Sequence, residues 1–354
     1  MSFAPAAFAR SNGGAVRLII DTSALIRYLI RPGAALRTIV EELWLGDQIQ
    51  IVTCPELLAE LEGEPPAGAA QVPGVISQDH PMTDLLAAVI TLEAQAAGEL
   101  DPFQGRAMHA LFLDLTGRAE RGLATALHES DALKPFTSSN LIGLRTPEGA
   151  QRAAIQPGAL FRWRVTTFEP GLTRVWRDHI LPGLPQTVTV GEVAFAVRGW
   201  TADAGADGWA GVSSYAELTQ QHTLTPRPPG PWINLRFASP TTFRSGGNHV
   251  PLPIPNLMLG HWLEKWNAFA PLALHPDVRS FAEEQVVVNR YDLRTEPVSL
   301  GPATIIGFVG QCSLTVKHDD PYWRRIPHLL AAFSFWGGTG HKTTQGLGQT
   351  RVGR

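Results

Sequence analysis

The chain has 354 residues, 44% of them apolar, with 29 Lys/Arg against 32 Asp/Glu and a formal net charge of −3. That length suits two or three modest domains, and the apolar share excludes wholesale disorder. A charge this close to zero does not mark a nucleic-acid binder by itself, but its distribution is uneven. Residues 1–83 carry 5 Lys/Arg against 9 Asp/Glu, whereas the stretch from Val309 onward carries 6 against 2. A local basic patch is enough to hold a polyanion, and a solvated basic tail is the alternative. The two cysteines, Cys54 and Cys312, lie far apart with no CxxC spacing, which argues against a zinc ribbon or a disulfide framework. The opening "MSFAPAAFARSNGG" lacks a signal-peptide core and no run of 18 apolar residues occurs, so a cytoplasmic protein without membrane spans is expected.

In chain order, "AVRLIIDTSALIRYLI" reads as a strand ending on Asp21 and then a helix, and "AALRTIVEELWLGD" as an amphipathic helix. "IQIVTCPELLAELEG" reads as a second strand and a helix carrying Glu60. The Pro/Ala/Gly-rich "EPPAGAAQVPG" has the composition of a linker, so residues 64–83 are expected to separate a first segment, 1–63, from the rest of the chain. Beyond the linker come a strand ("DLLAAVITLEA"), two helices ("FQGRAMHALFLDLTG", "RGLATALHE") and a strand ("ALFRWRVTTFE"). A helix ("LTRVWRDHILPGL") and paired strands ("QTVTVGEVAFAVRGW") complete this part. That order is the ferredoxin-like pattern of RNA-recognition folds. A second strand–helix–strand–strand–helix–strand set comes after it, so the reading is α+β: ferredoxin-like domains at 84–225 and 226–354 behind a partial α/β segment.

The last such strand comes after "FWGGTGHKTTQGLGQTR", with five glycines between Gly337 and Gly348. Glycine loses the most backbone freedom on ordering, so a run of it implies a close approach to the backbone. A P-loop is excluded because His341 separates Gly340 from Lys342, and a dinucleotide fingerprint because a helix precedes the glycines and a strand succeeds them. An extended nucleic-acid backbone, held by successive N–H groups with Lys342 and Arg351 adding charge, is the functional reading; a plain turn is the other. "HDD" at 318–320 is discounted as a metal site, since adjacent strand residues face opposite ways.

The motifs "GRAMHALFL", "LATALHESDALKPFTSS", "FRWRVTTFEP", "FASPTTFR" and "GGTGHKTTQGLGQ", in this order, resemble the sixth CRISPR-associated protein family. Those proteins are metal-independent endoribonucleases of the RAMP superfamily that cut CRISPR repeat RNA. The resemblance spans about Asp84 to the end and implies repeat RNA as substrate, no cofactor, a 2′,3′-cyclic phosphate product, and as partners an effector complex or a second copy of the chain. It places the catalytic histidine at His128, with Lys134 completing the site, and the RNA-binding loop at Gly338, Gly340, His341, Lys342, Gly346, Gly348 and Arg351. His128 otherwise reads as a helix-end cap. His109 orients the phosphate, acts as a second acid–base group, or is a core histidine on "AMHALFL". Arg164, sharing a strand face with Arg162, and Arg244 are further RNA contacts or solvated arginines.

Residues 16–62 resemble the first part of a PIN domain, a magnesium-dependent RNase fold, with Asp21 and Glu60 at its first two carboxylates. The later acids of that family have no counterpart before the linker, so an inert remnant or an interaction surface is expected. Asp21 and Glu60 are metal ligands only if the segment is active. A non-catalytic RAMP-type subunit that holds the repeat-derived end of guide RNA is the competing function.

Overall fold

The computed structural model describes residues 83–129, 133–147, 149–299 and 304–353, together with strands β1 (Phe8–Ala9), β2 (Val16–Leu18) and β3 (Ile49–Ile51). The chain separates into two compact units, Met1–Asp79 and His80–Arg354. In the first, β1 pairs antiparallel with β2, and β2 pairs parallel with β3, which requires the long crossover between them. Asp21, Glu60, the helices read around them and the linker at 64–82 lie outside the described residues.

The second unit opens with β4 (Leu85–Ala94), an apolar run buried almost throughout, as a strand covered on both faces must be. Strand β5 (Gly98–Leu100) leads to helices α1 (Gly105–Ala119) and α2 (Arg121–Glu129). Strands β6 (Phe136–Ser138), β7 (Ala153–Ile155, paired with β5) and β8 (Leu160–Thr167) come next. Helix α3 (Pro170–Val175) starts on a proline, whose missing N–H is no loss there, and the Glu169 carboxylate accepts from the N–H groups of Gly171 and Leu172. It widens into a π turn, Trp176–Ile180, before the hairpin β9 (Thr187–Val190) and β10 (Val193–Thr201). Strand β11 (Gly211–Ser213) and helix α4 (Tyr215–Thr223), closed by a Ser214–Glu217 capping box, end this half.

The second half runs through β12 (Trp232–Thr241), the hairpin β13 (Phe243–Ser245) and β14 (Asn248–Val250), and helices α5 (Pro255–Phe269) and α6 (Val278–Gln285). Strands β15 (Val286–Ser299) and β16 (Thr304–Val316), helix α7 (Pro321–Gly337), a 3-10 turn at Thr343–Gln345 and β17 (Thr350–Val352) complete it. The sheets are ordered β6-β8-β4-β10-β9 and β15-β16-β12-β17, and every pair is antiparallel. Both halves therefore thread strand, helices, strand, strand, helix, strand with the first strand inside the sheet, the tandem ferredoxin-like plan read from the sequence.

Packing explains the position of α1. Met108, Leu111, Phe112 and Leu115 recur at helical spacing and form its buried stripe. Phe112 stacks on Phe136 (3.8 Å between centroids) and on Trp176 (4.4 Å), pinning α1 against the end of β6. The glycine-rich segment after α7 reaches the same place: the Gly346 N–H donates to Ser138 O (2.8 Å), and Thr166 Oγ1 donates to Trp336 O (2.6 Å). Loop and helix meet where the two halves join.

Candidate active site and RNA-binding cleft

His109 lies one turn into α1. Its ring stacks on Phe136 (5.6 Å, 25° between planes), and its Nδ1–H donates to the Thr344 carbonyl at 3.2 Å. A proton fixed on Nδ1 leaves the Nε2 lone pair available. Burial lowers the pKa of His109 below its ordinary 6.5; the Thr344 bond opposes this, while the charges of Lys134, His128 and Lys342 add to it. Those three groups are thus within electrostatic reach of one imidazole. His128 is exposed on the last turn of α2, beside Leu127, which is buried and anchors the helix end. Lys134 folds back and donates from Nζ to Leu127 O (2.5 Å), satisfying a carbonyl that the helix end leaves open.

The fourth member arrives on the glycine-rich segment. Lys342 has φ +55°, the sole non-glycine with positive φ among the described residues, and it heads the 3-10 turn that carries Thr344. Facing it, the β13–β14 hairpin pairs Arg244 with His249, whose ring is 5.7 Å from that of His341. A cleft of about 550 Å³ opens here, lined by Lys134, Arg244, His261, Lys265, Arg279 and Lys342 among others. The one carboxylate among its described lining residues, Glu264, is paired with Arg279. Burial, then Arg106 and Arg244, lower the pKa of Lys342. Burial, then Lys342, His249 and Arg244, push His341 down to about 4. Like charges held this close are relieved by a polyanion, which is the electrostatic character of a phosphate site.

Two expectations are corrected. Arg164 does not point to solvent: it is 1% exposed, with Nε on Trp209 O (2.7 Å), Nη1 on Gln349 Oε1 (2.6 Å) and Nη2 on Phe335 O (2.7 Å). Its guanidinium lies between the rings of Trp209 and Phe335, at 5.3 and 4.5 Å from their centroids. It joins the two halves rather than touching RNA. Strand alternation gave the face correctly, but the second half covers that face.

The glycines, likewise, do not present a row of amides outward. The N–H groups of Thr339, Gly340, His341, Gly346 and Gly348 donate to Gly348 O, His261 Nδ1, Thr242 O, Ser138 O and Pro240 O. A Cβ on Gly340 would sit 2.3 Å from Thr242 O, and one on Gly348 2.1 Å from Thr339 O. What approaches these glycines is the protein's own backbone. At Gly338 a Cβ would lie 3.1 Å from both Gly348 O and the Thr343 methyl, and at Gly346 the nearest group is a side chain, the Phe103 ring at 2.8 Å, with Asn140 N at 3.1 Å. Arg351 is also engaged, donating to Gly208 O (3.0 Å) with its guanidinium 4.8 Å from the Trp209 centroid. The "HDD" run is a helix start: Asp320 accepts from the N–H groups of Tyr322 and Trp323, and His318 Nδ1 accepts from Asp320 N–H.

The sequence reading missed Arg106, Thr344, Lys265 and Gly105. Gly105 opens α1 directly against Gln345 O, 1.9 Å from where its Cβ would be, so only glycine lets helix and loop touch. For Lys265 a signal existed, since the chain has only four lysines.

Two family models, the N-terminal domain of Cas6 and the CRISPR-associated endoribonuclease Cas6, match residues 86–220 and 235–350. The chain belongs to the Cas6 family. Cas6 from Mycobacterium tuberculosis is 30% identical over 128 residues, which are 36% of this chain and 40% of the relative, so the match spans about two fifths of that protein. Among solved structures, a Cas6 product complex has a TM-score of 0.64 at 28% identity, covering 76% of this chain and 98% of its own. Thermus thermophilus Cas6 gives 0.58 at 25% identity, covering 77% and 100%. A Cas6 substrate-mimic complex gives 0.59 at 28% identity, again covering 77% and 100%.

Proposed function

We propose that the chain is an endoribonuclease that cleaves CRISPR repeat RNA at the junction of its two halves, without a metal ion, leaving a 2′,3′-cyclic phosphate and a 5′-hydroxyl. The observation that carries this reading is geometric: His109 is bonded to the Thr344 carbonyl next to Lys342, Lys134 is bonded to the helix end that carries His128, and Lys134, Lys342 and Thr344 line one cationic cleft. RNA brings its own nucleophile, the 2′-hydroxyl. The protein then needs a base for that proton, an acid for the 5′-oxygen and positive charge for the pentacoordinate phosphate. His109 suits the base, since burial keeps its imidazole neutral and the Thr344 bond leaves Nε2 unprotonated. His128, exposed at the end of α2, protonates the leaving oxygen, and Lys134 and Lys342 flank the phosphate. The cleft bounded by Arg244, His341 and Lys342 holds the adjoining strand and retains the product end, consistent with the family neighbours solved as product and substrate-mimic complexes.

The test is single-turnover cleavage of repeat RNA with EDTA or Mg²⁺, beside His128→Ala. Site-specific cutting that ignores EDTA and drops by at least about 100-fold in the variant, with RNA binding retained, is expected. A wild-type rate for His128→Ala removes it from the mechanism. Binding without cutting by the wild type makes the chain a guide-RNA holder, and cutting only with Mg²⁺ moves the activity to the N-terminal segment.

A further inference from the structure

Lys265 lies in the middle of α5 and is 3% exposed. A lysine normally extends its stem so that the ammonium reaches water. This one ends inside the protein, with Nζ donating to Gly337 O (2.5 Å) and to Thr343 Oγ1 (2.8 Å), and 5.5 Å from the centroid of Phe168. Burial pushes its pKa from 10.5 to about 7, so the environment disfavours the charge strongly. A methionine has similar length and would fill the space without that cost. The amine therefore calls for a reason other than packing.

Its neighbours on α5 supply one. Trp262 Nε1–H donates to Thr339 Oγ1 (2.9 Å), and His261 Nδ1 accepts from the Gly340 N–H (3.3 Å). Residues 261, 262 and 265 thus face the glycine-rich segment from one side of the helix and hold it at Gly337, Thr339, Gly340 and Thr343. Thr343 is flanked by Lys342 and by Thr344, whose carbonyl accepts the hydrogen bond from His109 Nδ1–H.

We infer that Lys265 is a positioning residue: by tying the end of α7 to the Thr343 hydroxyl, it sets the turn that orients His109 and presents Lys342 to the scissile phosphate. This rests on the active-site assignment above. Lys265 borders the cleft, but it is 3% exposed and its Nζ is committed to Gly337 O and Thr343 Oγ1, so it acts through the turn rather than on the phosphate. A small displacement of its turn moves two groups at once, and misplacement of about 1 Å costs up to about 100-fold in rate.

The test compares Lys265→Met, Thr343→Val and the double variant with wild type. The readouts are single-turnover cleavage at saturating enzyme, affinity for a repeat RNA with a 2′-deoxy scissile nucleotide, and backbone hydrogen exchange over residues 338–348. Each single variant should lose about tenfold or more in rate. Affinity should stay within about threefold and exchange in the loop should quicken. The double variant should fall no further than the worse single, because both remove one link. Wild-type rates in either single variant overturn the proposal, as does lost rate with unchanged loop exchange, or multiplicative loss in the double. If Lys265→Met fails to fold, Thr343→Val, which removes only a hydroxyl, decides alone. Loop exchange does not depend on the chemistry, so it separates failure of this inference from failure of the active-site reading, which His128→Ala reports.

Discussion

Gly348 and Gly158 both have left-handed backbones, with φ +71° and +78°, but their surroundings differ. A Cβ on Gly158 meets nothing within 4 Å, whereas one on Gly348 lies 2.1 Å from Thr339 O and 3.0 Å from the Thr343 Cγ2 methyl. Substituting alanine at each separates conformational cost from close approach. Gly158→Ala should cost only the left-handed conformation, about 1–2 kcal/mol. Gly348→Ala bears the same cost plus about 1–3 kcal/mol for forcing a methyl into filled space. The shift also strains the Thr339 N–H···O Gly348 bond (2.9 Å) and the Gly348 N–H···O Pro240 bond (3.0 Å), worth about 1 kcal/mol each. The sum is about 4–7 kcal/mol, well clear of the control. Urea unfolding of both variants measures the difference, provided m is unchanged. Gly348→Ala should also slow repeat cleavage, while Gly158→Ala should not. Equal destabilisation in the two variants would refute the claim that the run exists for backbone contact within the protein.

On the proposed mechanism, the pH dependence of kcat/KM follows the environment of His109. Burial lowers its pKa, so a base at this position gains its free Nε2 as pH rises through a midpoint below 6.5 and is already unprotonated at neutral pH. The acid limb of a pH–rate profile should therefore lie below 6.5, and a midpoint above that value would assign the base elsewhere. Lys342→Ala should weaken repeat-RNA binding and reduce the slope of log K against log salt by about one unit, as loss of one phosphate contact does. An unchanged slope would mean that this lysine faces the RNA without touching its backbone.

The architecture was legible because its signals are local. The apolar run at Leu85–Ala94, the helical stripe of Met108, Leu111, Phe112 and Leu115, and the alternation along β12 and β16 all carry their periodicity within one element. Strand β11, the β13–β14 hairpin and the short helices α4 and α6 escape such a reading, being too brief or too weakly patterned to stand out. At the site, periodicity assigned faces but not what covers them. Arg164 and Arg162 do share a strand face, yet Arg162 pairs with Asp207 at a half-exposed position while Arg164 is sealed under Phe335 and Gln349. Only the docking of the second half distinguishes them.

The glycine-rich run gives the converse case. Its composition correctly signalled that something must come close to the backbone, and the resemblance to a known loop suggested that this was RNA. The contacts assign the closeness to Thr242, Thr339, Pro240 and Ser138 instead. The two readings are linked physically. A loop that spends its amides on internal acceptors is rigid, and rigidity is what lets Lys342 hold a left-handed conformation and lets Thr344 fix one tautomer of His109. On the proposed mechanism, the glycines serve RNA cleavage by what they do to their neighbours. Substitutions there should affect stability and rate together, whereas those at His128 should affect rate alone.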